Sequence, residues 1–513
     1  MTDLSVKIEE YISERLAKYT PTRVTHSKAI HDTLWGTSIF TPGEIAVIDT
    51  PLVQRLRGIH QTALAFLTYP SATHTRFEHS LGVAIVATKI VDSLNRRASP
   101  EITLNEKKEI RLAALLHDVG HGILSHISEN NFKRTKVIKD FKASDKKFSG
   151  AKPHEIMSYL IVRSESFKNF FQRHISPHYN ELYSVDLAKI AGYIIGHAEP
   201  GKKYLADIIN SAFDADKLDY IARDSYFAGL SLNVDIERLL YSMAVLKKTD
   251  GVRCLAIKAS GVQALEQVMF SKMILYCSLY HHQKVRAADS MLNTYVEYVK
   301  ENYGSISGSP RLLEPWQFIQ YIDADVLCPN GHSNDFLKRI AERISERRIY
   351  KRALIISPKT ISKGLLYKIT RLKEASDKEE KLKAYARKIY EAIPPDDRGQ
   401  MTHHEIIIDI PDDPSLRESQ QCPVIDKLSD DTTKYQALNK YFPVDDWLTA
   451  YYANKWIAHV FCPPEMQKSV NIAARIFFYE ELGLIFSERA TTFARIEHSP
   501  IQYNGKKGNN VQI

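Results

Sequence analysis

Cysteine is scarce in this chain. The five present (Cys254, Cys277, Cys328, Cys422 and Cys462) are odd in number, scattered and never in C-x-x-C spacing. That excludes a disulfide framework and argues against a thiolate zinc site. Long apolar runs are also missing: none approaches the ~18 residues that cross a bilayer. The opening MTDLSVKIEEYISERL is charged and amphipathic and lacks the apolar stretch of a secretory signal. The expectation is a cytoplasmic protein with no membrane partner. Strand signals are few, confined to Val252–Ile257, Ala353–Ile356 and the alternating His404–Ile410, and no internal repeat is evident.

What the sequence does contain is helical periodicity and unevenly placed charge. Hydrophobic residues are 44% of 513, too long a chain for one core, so two or three packed units are expected. Val83, Val86, Ile90 and Leu94 recur at three- and four-residue steps, predicting a helix over 77–97. Further helices are predicted over 107–118, 181–196, 204–227 and 262–303, with a loop at Gly304–Pro310. The reading is mainly α: a helical catalytic core over 1–345, a smaller mixed α/β lobe over 346–495, and a flexible tail over 496–513. The net charge of +8 concentrates in Lys133–Lys152 and Lys351–Lys388. Such runs are either solvated faces or attractors of phosphorylated ligands and nucleic acid.

The segment RLAALLHDVGHGILSH (111–126) places a His-Asp pair at the end of an apolar helix. A buried carboxylate is costly there unless paired or bound to metal. His117, Asp118, His121 and His126 fall within ten positions, Glu78-His79 opens the preceding helix, and DADKLDY holds Asp214, Asp216 and Asp219. Mixed imidazole and carboxylate donors suit one divalent ion used as a Lewis acid, whether Mg, Mn, Fe, Co, Ni or Zn.

His79, His117-Asp118 and Asp216 reproduce the H…HD…D order of the HD phosphohydrolase superfamily. The texts IHDTLWGTSIFTPGEIAVIDTPLVQRLRGIHQ (30–61), TRFEHSLG, HDVGHGILSH, His154-Glu155 and DADKLDYIARD resemble its deoxynucleoside triphosphate triphosphohydrolases. ERRIYKRAL (346–354) and HEIIIDIPDDPSLRE (404–418) resemble the same family's C-terminal lobe. The likeness runs from about residue 28 to 480, and too few residues precede it for the SAM domain that vertebrate members carry.

The resemblance implies roles. His79, His117, Asp118 and Asp216 would hold the metal. Arg76, Lys217 and Tyr220 would contact phosphates, with His121 and His154 as further phosphate-binding or proton-transfer groups. His126, with Glu129 three residues on, would be the acid for the leaving 5′-oxygen. Asp224 and Gln61 would meet the sugar. The family then expects an arginine and, eight positions on, a tyrosine under the sugar; this chain reads SKMILYCSLYHHQKV, with Met273 beside Lys272 and then His281 at those places. Asp49, Gln54 and Arg57 stand where the family's vertebrate members read an activating guanine nucleotide, although Asp49 before Pro51 also fits a helix cap. A homo-oligomer, a tetramer by resemblance, is implied. The expected reaction converts a deoxynucleoside triphosphate to deoxynucleoside and inorganic triphosphate. A phosphodiesterase or nuclease acting on single-stranded nucleic acid or a cyclic nucleotide, and a non-catalytic nucleotide sensor, are the alternatives.

Overall fold

The computed structural model describes residues 3–96, 101–302, 306, 309–412, 422–426, 435–455, 457–496, 502–504 and 510–512. The fold is mainly α, with small sheets. The Gly304–Pro310 loop and the 496–513 tail fall largely outside the described residues. No helix among the described residues is long and apolar enough to cross a membrane.

Contacts divide the chain into two compact units that interleave in sequence. The first comprises Met1–Tyr276, Pro310–Val326 and Ser415–Val444; the second comprises Cys277–Ser309, Leu327–Pro414 and Asp445–Ile513. Residue 345, where a boundary was expected, lies inside the second unit.

Six helices of the first unit matter here: α1 (Arg76–Asn95), α2 (Leu104–Leu116), α3 (His126–Arg134), α4 (Lys136–Ser144), α5 (Pro153–Arg163) and α6 (Ala215–Phe227). Local chemistry starts them. Thr75 N–H donates to Glu78 Oε2 at 2.8 Å and Thr103 N–H to Glu106 Oε2 at 2.9 Å, two capping boxes that open α1 and α2. Asp214 caps α6 by accepting from Lys217 N–H at 2.7 Å. The same cap breaks the predicted 204–227 helix, because Asp214 also takes Ser211 N–H (2.8 Å) and leaves Lys203–Asp207 as a separate turn. The 181–196 prediction shortens to Leu187–Ile194, capped by Asp186. The 262–303 prediction splits at a π-turn, Tyr276–Tyr280, into Val262–Leu275 and Gln283–Glu301.

Two antiparallel strands, Lys28–Asp32 and Gly36–Phe40, form a hairpin that sequence periodicity missed. A four-stranded sheet of the first unit runs in the order Met243–Lys247, Arg253–Lys258, Pro423–Ile425, Tyr435–Ala437. In the second unit the fully buried strand Ala458–Cys462 lies between Lys351–Ile356 and Ile407–Asp409.

Candidate active site

Both the helix starts and a helix end converge on one buried point in the first unit. His79 sits in the first turn of α1. His117 follows the last residue of α2, and its Nδ1 donates to Ala114 O at 2.7 Å, so the lone pair lies on Nε2. That Nε2 is buried and has no hydrogen-bond partner. It lies 3.5 Å from Asp118 Oδ1 and 3.9 Å from Asp216 Oδ1. His79 Nε2 is 3.0 Å from Asp216 Oδ1 and 3.9 Å from Asp118 Oδ2. The structure therefore brings His79, His117, Asp118 and Asp216 together. His121 Nε2 is 3.8 Å from Asp118 Oδ1, and the His121 and His154 rings stack at 4.1 Å.

Arg76 grips the centre from the same helix start: Nη1 donates to Asp118 Oδ2 at 2.5 Å and Nε to Ser125 Oγ at 2.9 Å. Leu124 and Ser125 take positive φ (58° and 46°), a conformation non-glycine residues rarely adopt. The turn is held by Asp323, which accepts from Leu124 N–H at 2.7 Å and from His60 N–H at 2.8 Å. Gly120 is needed in this turn, because a Cβ there would stand 2.3 Å from Ser158 N.

Asp219 is the functional residue whose role sequence reasoning missed. It is fully buried, accepts from His79 Nδ1 at 2.7 Å, from Arg223 Nε at 2.8 Å and Nη2 at 2.9 Å, and from Trp35 Nε1 at 2.5 Å. A carboxylate on Nδ1 fixes the ring and turns Nε2 toward the centre, as outer partners of metal-bound histidines do. The three-residue step from Asp216 was the available signal, since it puts both carboxylates on one face of α6.

The histidine–carboxylate pair differs from the sequence expectation. Glu129 Oε2 accepts from His154, at Nδ1 (2.9 Å) and from its backbone N–H (3.2 Å). The family resemblance paired Glu129 with His126; the packing of α5 against α3 delivers His154 to that oxygen.

Burial sets the titration of the group, modified by neighbouring charge. It would lower the His79 ring, but Asp216 and Asp219 outweigh it and raise His79 to about 10. Burial would raise Asp118 and Asp216; Arg76 and the histidines hold Asp118 low, while His79 and Lys152 hold Asp216 low. Burial and then Arg76 push His126 down to about 4, against Asp224 and Glu129. They also lower His121 well below its usual value. Glu129 is held at about 2, its own burial being outweighed by His154 and the nearby lysines.

The other expected residues separate into groups. Asp224 Oδ1 is 2.7 Å from His74 Nε2, His74 stacks on Phe227, and Gln61 N–H donates to His74 O at 3.0 Å. Gln61, His74 and Asp224 thus form one buried polar nook, with His74 another residue that sequence reasoning did not single out. Lys217 Nζ donates to Asp214 Oδ2 and Ser211 O, each at 2.7 Å. Tyr220 lies half-buried one turn beyond Asp216 on α6. His281 belongs to the second unit, where its charge is felt by Asp409 and His459. Arg57 Nε donates to Gln54 Oε1 at 2.8 Å, and its guanidinium lies over Phe77. Asp49 is exposed and 4.0 Å from Lys28 Nζ; it ends the Pro42–Ile48 helix rather than capping the next, whose N-cap is Thr50.

The donor set fits a divalent cation. His79, His117 and Asp118 bring ligand atoms within 4.8 Å of one another, as do Asp118, His121 and His154. An unpartnered, buried imidazole nitrogen between carboxylates is otherwise an unsatisfied polar group.

Comparison with known proteins agrees with this chemistry. Residues 76–224 match the HD domain and residues 234–481 the HD associated region. The chain is 32% identical over 270 residues (52% of this chain, 49% of the relative) to an uncharacterized protein of Methanocaldococcus jannaschii. It is 29% identical over 334 residues (63% and 60%) to the deoxynucleoside triphosphate triphosphohydrolase SAMHD1 homolog of Dictyostelium discoideum. Human deoxynucleoside triphosphate triphosphohydrolase SAMHD1 is 27% identical over 301 residues (55% and 46%). The chain spans about half the length of the curated relatives it matches.

Proposed function

Because this chain is an HD-domain protein with an HD-associated region, we propose that it is a metal-dependent phosphohydrolase of deoxynucleoside triphosphates, releasing deoxynucleoside and inorganic triphosphate. The observation that carries this reading is His117 Nε2, buried without a partner between Asp118 and Asp216. His79, His117, Asp118 and Asp216 would hold one divalent ion. When bound, such an ion polarises a phosphoryl oxygen as a Lewis acid.

The chain's own groups supply the rest. Arg76 uses two of its donors on Asp118 and Ser125 and keeps others for phosphate oxygens. Lys217 is already held by Asp214 and Ser211, so a phosphate shares it. His126 gives the proton to the leaving 5′-oxygen. Its ring is held down partly by Arg76, and a polyphosphate laid against Arg76 removes that cause, so the ring takes up its proton as substrate arrives. Glu129 orients His154, and His121 stacks on that ring beside the phosphates. Asp224 and Gln61 take the sugar. Asp49, Gln54 and Arg57 form the activator site for a guanine nucleotide, in a homo-oligomer.

A nuclease or phosphodiesterase is the second reading, favoured by the lysine-rich segment that begins and ends at this site. Incubating the full chain with each canonical ribo- and deoxynucleoside triphosphate, and with single-stranded oligonucleotide, under Mg²⁺, Mn²⁺ or Co²⁺ separates the readings. Tripolyphosphate supports the first and nucleoside monophosphates the second. No turnover of any substrate overturns both and leaves a nucleotide sensor.

A further inference from the structure

The hairpin of Lys28–Asp32 with Gly36–Phe40 contributes none of the four residues that converge on the centre, yet its turn ends against their outer partner. Asp32 Oδ1 folds that turn by accepting from Leu34 N–H at 2.8 Å and Trp35 N–H at 2.9 Å, and Gly36 closes it at a φ of 72°. The Trp35 indole is thereby set between two helices of the first unit. Its face lies under the Lys89 ammonium of α1, 5.5 Å from the ring centroid, and Lys89 is itself held by Glu237 at 2.6 Å. Its edge donates from Nε1 to Asp219 Oδ1 of α6 at 2.5 Å.

That bond completes the shell of Asp219. A carboxylate offers about four lone-pair sites, and this one takes Trp35 Nε1 and Arg223 Nη2 on Oδ1, with Arg223 Nε and His79 Nδ1 on Oδ2. So filled, the group cannot rotate without breaking a bond, and the His79 ring takes its direction from it. Arg223 by itself holds Oδ1 through one nitrogen, on which Asp32 Oδ2 also draws at 2.8 Å. The chemistry of the fourth donor matters too. A lysine or arginine in place of Trp35 would neutralise the charge that Asp219 lends to the His79 ring. An indole N–H, uncharged and donor only, satisfies the oxygen and leaves that charge in place.

We propose that Trp35 is a positioning residue of the metal centre. Through Asp219, its indole N–H holds His79 in the direction that sets Nε2 beside Asp216 and Asp118, so that docking of the hairpin and binding of the ion favour each other. The proposal rests on the reading of His79, His117, Asp118 and Asp216 as ligands of a divalent ion, whatever phosphate ester is cleaved there. Linkage makes the coupling reciprocal: a hairpin that tightens the ion is tightened by it to the same extent.

The test is the Mn²⁺ affinity of the full chain, by competition with a chelating dye, for wild type, Trp35→Phe, Asp219→Asn and the double variant. The Tm of each in EDTA verifies that it is folded. Trp35→Phe keeps an aromatic ring under Lys89 and removes the donor, so it should weaken Mn²⁺ binding about tenfold, the lower end of the range for outer partners of metal ligands. In the Asp219→Asn background the same substitution should change the affinity by no more than about twofold, because the group it acts through is gone. Hydrogen exchange over residues 28–40 should be slower in Mn²⁺ than in EDTA for wild type, a comparison that needs no variant to fold, and Trp35→Phe should abolish the difference. Equal Mn²⁺ affinity in wild type and Trp35→Phe overturns the proposal. So does an equal loss in both backgrounds, which makes Trp35 a mere cover, or hairpin exchange that ignores Mn²⁺. A wild-type chain that binds no Mn²⁺ overturns the metal reading itself, and this proposal with it.

Discussion

Leaving a buried imidazole nitrogen unsatisfied costs about 1–3 kcal/mol, so His117 Nε2 is a position where the fold accepts instability for a ligand. His117→Ala removes the donor and Asp118→Ala removes the carboxylate nearest it. Each variant should lose bound metal and turnover together, read by metal analysis and product release; a metal-replete, active Asp118→Ala chain would sink the assignment. The proposed role of His126 is to supply a proton. His126→Ala should lower kcat by roughly 10²–10⁴-fold, the usual worth of a positioned acid. In the free protein the ring sits at about 4, burial being the first cause and Arg76 the second. An acid works only while protonated, so activity falls as pH rises through its pKa. The kcat profile, which reports the bound complex, should therefore hold to higher pH than kcat/KM, which reports the free protein. Coincident profiles would show that substrate does not lift the ring.

At the scale of elements, the site depends on how closely α1 and α6 approach. Gly82, one turn beyond His79, makes room for this contact: a Cβ there would lie 2.0 Å from Asp219 Oδ1 and 2.2 Å from Arg223 Nη2. Those atoms cannot yield easily, since Arg223 Nη2 also donates to Asp32 Oδ2 at 2.8 Å on the hairpin. Gly82→Ala should cost about 1–3 kcal/mol, the range for overpacking a core, and should displace Asp219 from His79. A calorimetric Tm together with metal content checks this. Loss of stability with full metal content would mean that Asp219 does not orient the ring.

Across the whole molecule, buried histidines with lowered pKa values confer acid sensitivity, and part of it should come from one far from the site in sequence. His459 of the second unit is buried in the strand Ala458–Cys462, opposite Asp409, which Arg286 holds through Nε at 3.0 Å. Burial lowers His459 from 6.5 to about 3, with Asp409 opposing and Arg352 and Arg286 assisting. The unfolded chain then binds the extra proton between those values. Stability is complete above pH 6.5 and falls as pH drops toward 3. At pH 5 the loss is about 2 kcal/mol from this residue. His459→Asn should flatten the decline in Tm of the second unit between pH 7.5 and 5; an unchanged decline would place the acid sensitivity elsewhere.

What was legible in the sequence was short-range. The helix that carries Val83, Val86, Ile90 and Leu94, the helix that ends at His117-Asp118, and the order of His79, His117, Asp118 and Asp216 depend on neighbours within a turn or on a recognisable text, whereas the cap at Asp214 that divides the predicted 204–227 helix was not read. The hairpin of Lys28–Asp32 with Gly36–Phe40 and the strand Ala458–Cys462 were not legible, because segments of five residues carry too little periodicity to distinguish them from loops. Pairing across the fold was hidden for a different reason. Asp219 meets His79 across 140 residues and Trp35 across 184, His74 meets Asp224 across 150, and Asp323 meets His60 across 263. Glu129 shows the contrast: the family resemblance pointed to His126, whereas the packing of α5 brought His154 to its carboxylate. Residue types and their order determined the chemistry available. Only tertiary packing decided which partner each buried charge would have, because a buried charge must be satisfied by whatever the rest of the fold delivers to it.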